Sequence, residues 1–133
     1  MREIRDHIVE GDLPQNQLAL KVIDEPGSGG ANHRYEISWP GGVSLDDNGK
    51  NVVGTRTLLI EFQNGPIKEA GLNGVTQEVL LAIVIDRLKS FQAGPFPSHY
   101  NEEALFQAQN CLFNLQGRTR ERIARGVEGK TEK

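Results

Sequence analysis

The hydrophobic pattern changes period once, near Thr76, and that change fixes the class of fold open to the chain. Before it, apolar residues alternate: Leu18, Leu20 and Val22 in "QLALKVI", Tyr35, Ile37 and Trp39 in "RYEISW", and Leu58, Ile60 and Phe62 in "RTLLIEF". A period of two belongs to a strand with one buried face. After it, Leu81, Val84, Ile85, Leu88 and Phe91 recur at helical spacing. Thr76 is placed to cap that helix, Glu78 sits in its first turn, and Gly94 stops it. Ala82 and Ile83 fall off the stripe, so this helix must be covered on more than one side. The prolines of "GPFPSHY" cannot continue it, and a second helix is predicted from about Asn101 to Arg125. Asn101 or Ser98 serves as its cap, and Glu102 and Glu103 suit the positive end of its dipole. The expectation is an α+β fold, an N-terminal antiparallel β-sheet followed by a C-terminal antiparallel two-helix hairpin. We expect one domain of 133 residues, with a strand-rich part over 1–72, the hairpin over 73–126 and a tail over 127–133.

Between the strands, "DEPGSGGAN" and "PGGVSLDDNGKN" hold the residues that supply unusual backbone angles and read as turns or loops. "NGP" at Asn64 to Pro66 reads as a further turn leading into a strand over 67–70. Ile4, His7 and Ile8 fit either a short helix or a strand.

Composition narrows the function classes. A chain with 37% hydrophobic and 25% charged residues is globular. Its longest strongly apolar run, Leu80 to Ile85, is far too short to cross a membrane. The opening "MREIRDHIVEGD" is charged where a secretory leader is apolar, and Cys111 is the single cysteine; both predict a cytoplasmic protein. The three histidines are scattered and no H-x-H, H-E-x-x-H or C-x-x-C spacing occurs, so neither a metal nor a cofactor is expected. "PGSGG" lacks the Lys-Ser/Thr of a phosphate loop, and "DDNGK" lacks the terminal glutamate of a calcium loop.

The net charge of −3 hides an asymmetry, because residues 118–133 hold six of the 15 Lys and Arg against three acids. That is too local for a nucleic-acid binder, which spreads its basic surface widely. Basic residues near a helix C-terminus gain ~0.3 to 1 kcal/mol each from the dipole without any further role. Here, however, Ala104, Ala108, Cys111 and Leu115 share one helical face, and Arg118, Arg122 and Arg125 continue it. The predicted helices differ by about two turns, or ~12 Å, so these arginines overhang the shorter helix, level with "GLNG". Guanidinium matches phosphate bidentately, which makes the overhang a candidate phosphate pocket. Phe91, Tyr100 and Asn101 lie at the opposite end of the hairpin, about 25 Å away along the helix. A two-fold dimer with antiparallel hairpins would bring one chain's arginines beside the other's aromatic and amide groups, a nucleotide-sized set.

The segment from "IEFQNGPIKE" to "RGVEG", about half the chain, resembles the phage proteins of the Thoeris anti-defence protein one family. The matching pieces are "FQNGPIKE", the "NG" before the first helix, "DRLKSFQAGPF", Asn101 and "RTRERIARGVEG". The resemblance implies a sponge that holds cyclic ADP-ribose isomers made by TIR-domain sensors, without degrading them. It implies Phe91 as adenine platform, Asn101 as polar contact, and Arg118 and Arg122 as pyrophosphate clamps, with Tyr100 and Arg125 as secondary candidates. It also implies a homo-oligomer, a dimer whose relatives in some cases form hexamers that hold cyclic oligonucleotides at a separate site. The chain departs from the pattern at Ser98, Gly117 and Lys130.

Two other classes compete. An enzyme acting on the same ligand would need an acid and a base facing each other, whereas adjacent Glu102 and Glu103 diverge on a helix. A protein-interaction adaptor would use Phe106 and Phe113, seven residues apart, as a second aromatic stripe.

Overall fold

The computed structural model describes residues 1–126, and the expected tail at 127–133, including Lys130, lies outside the described residues. The chain folds as two compact units, Met1–Asn64 and Gly65–Lys133.

The first unit is a four-stranded antiparallel meander of β1 (Arg2–Ile4), β2 (Ala19–Val22), β3 (Arg34–Leu45) and β4 (Asn51–Glu61), in sheet order 1-2-3-4. Of the three N-terminal residues left open between helix and strand, Ile4 lies in β1, whereas His7 sits in a turn and Ile8 in neither element. Register explains the alternation: Leu20 pairs with Ile37 and Ile4, Val22 with Tyr35, and Tyr35 and Ile37 with Ile60 and Leu58, so these residues share one face. Val22, at 1% exposure, is the centre of that face. The Tyr35 and Phe62 rings meet edge to face at 5.5 Å.

"PGGVSLDDNGKN" corrects the expectation of a loop. Only its middle turns; β3 runs on to Leu45 and β4 starts at Asn51. A bulge between Pro40 and Val43 absorbs the glycines, with Gly42 at φ 71°, and a Cβ on Gly41 would meet Arg56 Cγ at 2.8 Å. The turn itself is set by Asp46, whose Oδ1 accepts from the N–H groups of Asn48 and Lys50, both at 2.9 Å. That arrangement is a hairpin turn.

A second polar knot joins β2 to β3. Asp24 Oδ2 accepts from the His33 N–H at 3.0 Å, and the Asn32 amide donates to the Asp24 carbonyl at 2.8 Å. Desolvation pulls the Asp24 carboxyl upward, yet donors from His33, Arg34 and Asn32 outweigh it and hold the group below its ordinary value. Asp24 Oδ1 and His33 Nδ1 are enclosed and have no hydrogen-bond partner among the described residues.

The second unit opens with a correction: residues 67–70 are a single helical turn, α1 (Ile67–Ala70), and not a strand. Pro66 starts it and Gly71, at φ 79°, ends it, so the local proline and glycine outweigh the short apolar run. The hairpin follows as α2 (Gln77–Ala93) and α3 (His99–Ala124), helices of 17 and 26 residues. Thr76 Oγ1 caps α2 by accepting from the Val79 N–H at 3.3 Å, and Ser98 Oγ caps α3 by accepting from the Asn101 N–H at 3.0 Å. The Gln92 Oε1 also accepts from the Ser98 N–H at 3.0 Å, closing the connection.

Candidate ligand-binding site

The inner stripe of α3 differs in phase from the one the sequence suggests. Its partly buried positions are Asn101, Leu105, Ala108, Leu112, Leu115, Thr119 and Arg122, with Gly117 also partly buried off the stripe, whereas Ala104, Cys111, Arg118 and Arg125 are exposed. Both stripes have alternating spacings of three and four, so periodicity alone does not choose between them. Packing does, because Leu105 and Leu112 bury more apolar surface than Ala104 and Cys111. On α2 the inner positions are Leu81, Ile85 and Leu88, and Val84 and Phe91 stand beside them at 46% and 49% exposure.

The sequence-predicted residues fall into two groups. Phe91 lies in the last turn of α2, which ends where the Gly94 N–H donates to the Phe91 carbonyl at 3.2 Å. Tyr100 and Asn101 lie in the first turn of α3, so all three gather at the closed end of the hairpin. Asn101 is half-buried and spends its backbone N–H on the Ser98 cap, a bond in which its carboxamide takes no part. Tyr100 is largely exposed, with its ring 4.0 Å from that of His99.

Arg118, Arg122 and Arg125 occupy the far end of α3, and the structure does not bring them to Phe91 within one chain. The 17 residues from Asn101 to Arg118 amount to about 25 Å of helix. Arg118 projects from the exposed flank and Arg122 is half-buried. Arg125 forms the C-cap, its guanidinium 4.0 Å from Glu121. Arg120 points to the other flank, stacked 5.1 Å from the Phe113 ring centroid and donating to the Phe113 carbonyl at 3.4 Å. It is committed within its own helix.

One participant escaped the sequence reading. The Arg87 guanidinium lies 5.3 Å from the Phe91 ring centroid, placing a cation on the aromatic group assigned to base stacking. The signal was present as a spacing of four on one helix.

Gly117 does not break α3, which is continuous from His99 to Ala124. A Cβ there would meet only Arg120 Nη2, at an ordinary 3.6 Å. Gly117→Ala is therefore expected to stabilise the protein by about 0.5 to 1 kcal/mol, seen as a raised Tm in thermal unfolding. A lowered Tm would mean the glycine serves a contact with another chain.

The end of β4 and the hairpin as far as Thr119 match a known domain. Residues 55–119, which include Phe91, Asn101 and Arg118, match the Acb2/Tad1 hairpin domain. The match takes in most of the second unit, including all of α2 and α3 as far as Thr119. Over 93 residues the chain is 42% identical to Thoeris anti-defense 1 of Bacillus phage SBSphiJ7, a match that covers 70% of this chain and 65% of that protein. Over these residues the chain is similar to the Thoeris anti-defence family, and it spans a little less than two thirds of that relative's length.

Proposed function

We propose that this protein counters Thoeris defence in the infected cell's cytoplasm by sequestering a cyclic ADP-ribose isomer made by a TIR-domain enzyme. Such a ligand carries a base and a pyrophosphate, and the hairpin carries a group suited to each. Phe91 is the stacking platform, with Asn101 and Tyr100 beside it; Arg118 and Arg122 clamp the pyrophosphate, and Arg125 adds positive charge. One observation supports this reading above the others: the aromatic and cationic halves sit on one hairpin, yet about 25 Å apart, too far for one small ligand to touch both. A site completed by a second copy resolves the mismatch, since the closed end of one hairpin then meets the arginine end of the other.

In this reading the protein binds and does not turn over its ligand. Release after binding tests that point: complex formed with the product of a TIR enzyme and then heated is expected to yield the intact ring by mass spectrometry. Linear or cleaved product would make the protein an enzyme instead. A second reading, a protein-interaction adaptor, draws on Phe106 and Phe113, which are 56% and 65% exposed. Capture of one defined host protein, unaffected by added ligand and lost in Phe113→Ser, would favour it.

A further inference from the structure

The Arg87 guanidinium lies over the Phe91 ring, and neither of the usual anchors of an exposed helical arginine accounts for that pose. Arg87 stands outside the last turn of α2, which holds no basic residue, so the negative end of the helix dipole does not hold it. Its neighbours three and four positions away are Ile83, Val84, Ser90 and Phe91, none of them acidic. No carboxylate lies within ion-pair reach of it among the described residues. Of these helix neighbours Phe91 is the one with a π face, and the guanidinium carbon rests 5.3 Å from its centroid. Arg120 differs, because it is also tied to the Phe113 carbonyl by a hydrogen bond of 3.4 Å.

From this pairing we infer that Arg87 is the positioning residue of the stacking platform: it occupies one face of Phe91, fixes the ring, and leaves the opposite face to receive a base. The inference rests on the sequestering role proposed above and adds to it a residue that acts on the ligand only through Phe91.

Phe91 stands where such a hold matters. Its ring is 49% exposed, beside the inner positions Leu81, Ile85 and Leu88 and not among them, so the packing of α2 covers only part of it. A ring free to change rotamer has to be immobilised when a ligand arrives, and ordering one side chain weakens binding by a factor of about 2 to 10. A guanidinium already seated on the ring removes much of that loss. The same cation draws π density toward its own face, which makes the opposite face a better complement for an electron-rich base such as adenine.

Three variants of the full-length protein separate this role from simple cover of an apolar surface. Arg87→Met keeps the aliphatic stem over the ring and removes the charge, so the fold and Tm should hold while affinity for a cyclic ADP-ribose isomer falls about fivefold by calorimetry. Arg87→Lys restores a cation and should remain within about twofold of the native affinity. In a Phe91→Leu background, weak at the outset, adding Arg87→Met should change affinity by less than about twofold, because no ring is left to position. The free protein supplies a spectroscopic signature: the Arg87 δ-protons should resonate upfield of their ordinary position through the ring current, and return to it in Phe91→Leu. Unshifted Arg87 protons, native affinity in Arg87→Met, an equal loss in the lysine variant, or an undiminished effect in the Phe91→Leu background would each overturn the positioning role. Native protein that binds no isomer at all would remove the pocket and this role together, whereas native binding with any of those four results removes the role of Arg87 alone.

Discussion

Replacing Arg118 or Arg122 by alanine is expected to weaken calorimetric binding of a cyclic ADP-ribose isomer by about 10- to 100-fold each, while the oligomer remains intact. The magnitude follows from the bond type, since a charge-assisted, bidentate contact to phosphate is worth about 1.5–3 kcal/mol. Arg118 is exposed and Arg122 half-buried, and neither lies among the leucines that join α3 to α2, so the helix should survive both changes. Lysine at either position should recover only part of the loss, because a point charge cannot form the two-pronged contact. Unchanged affinity in both alanine variants would remove the phosphate clamp. Arg120→Ala is the matched control: its guanidinium is held by Phe113 on the opposite flank, and ligand affinity should not move.

Mixing two weakened variants should restore native-affinity binding. Phe91→Ala disables the stacking half and Arg118→Ala the phosphate half, so a homodimer of either lacks two good sites. A dimer formed from one chain of each has one doubly damaged site and one that is wholly native. After subunits exchange at random, about one quarter of the native capacity should return, with native affinity. The readout is calorimetric stoichiometry of the mixture against each variant alone. Recovery near zero, with exchange shown independently, would place both halves on the same chain and contradict the shared pocket.

Much of the first unit was legible because alternation survives on an antiparallel sheet with one apolar face: Leu20, Val22, Tyr35, Ile37, Leu58 and Ile60 all fall where their period places them. The misread segments are those where local chemistry and period disagree. Gly41 and Gly42 look like a turn, yet they form a bulge within a long strand, held between the pairs Pro40–Thr55 and Val43–Val53. Residues 67–70 are too few for any period to show, and the flanking Pro66 and Gly71 decide them.

For the candidate site, the helix bounds and caps were readable from Thr76, Ser98 and Gly94, and the residue types from the arginine cluster. The phase of α3 was not readable. A repeat of three and four admits two neighbouring stripes, and side-chain bulk on α2 and α3 chooses between them. The consequence is functional, since it moves Arg118 from the inner seam to an outer, exposed flank. In the proposed reading the pocket is completed by a second chain, and no periodicity within a single sequence reports on that.

The separation of Phe91 from Arg118 also sets a dose law. If capture takes two chains, then at high dilution the ligand-holding capacity grows with the square of chain concentration, and halving expression costs about three quarters of it. Linkage runs the other way as well: cargo that bridges the subunits slows their parting, so a saturated sponge outlasts an empty one on dilution.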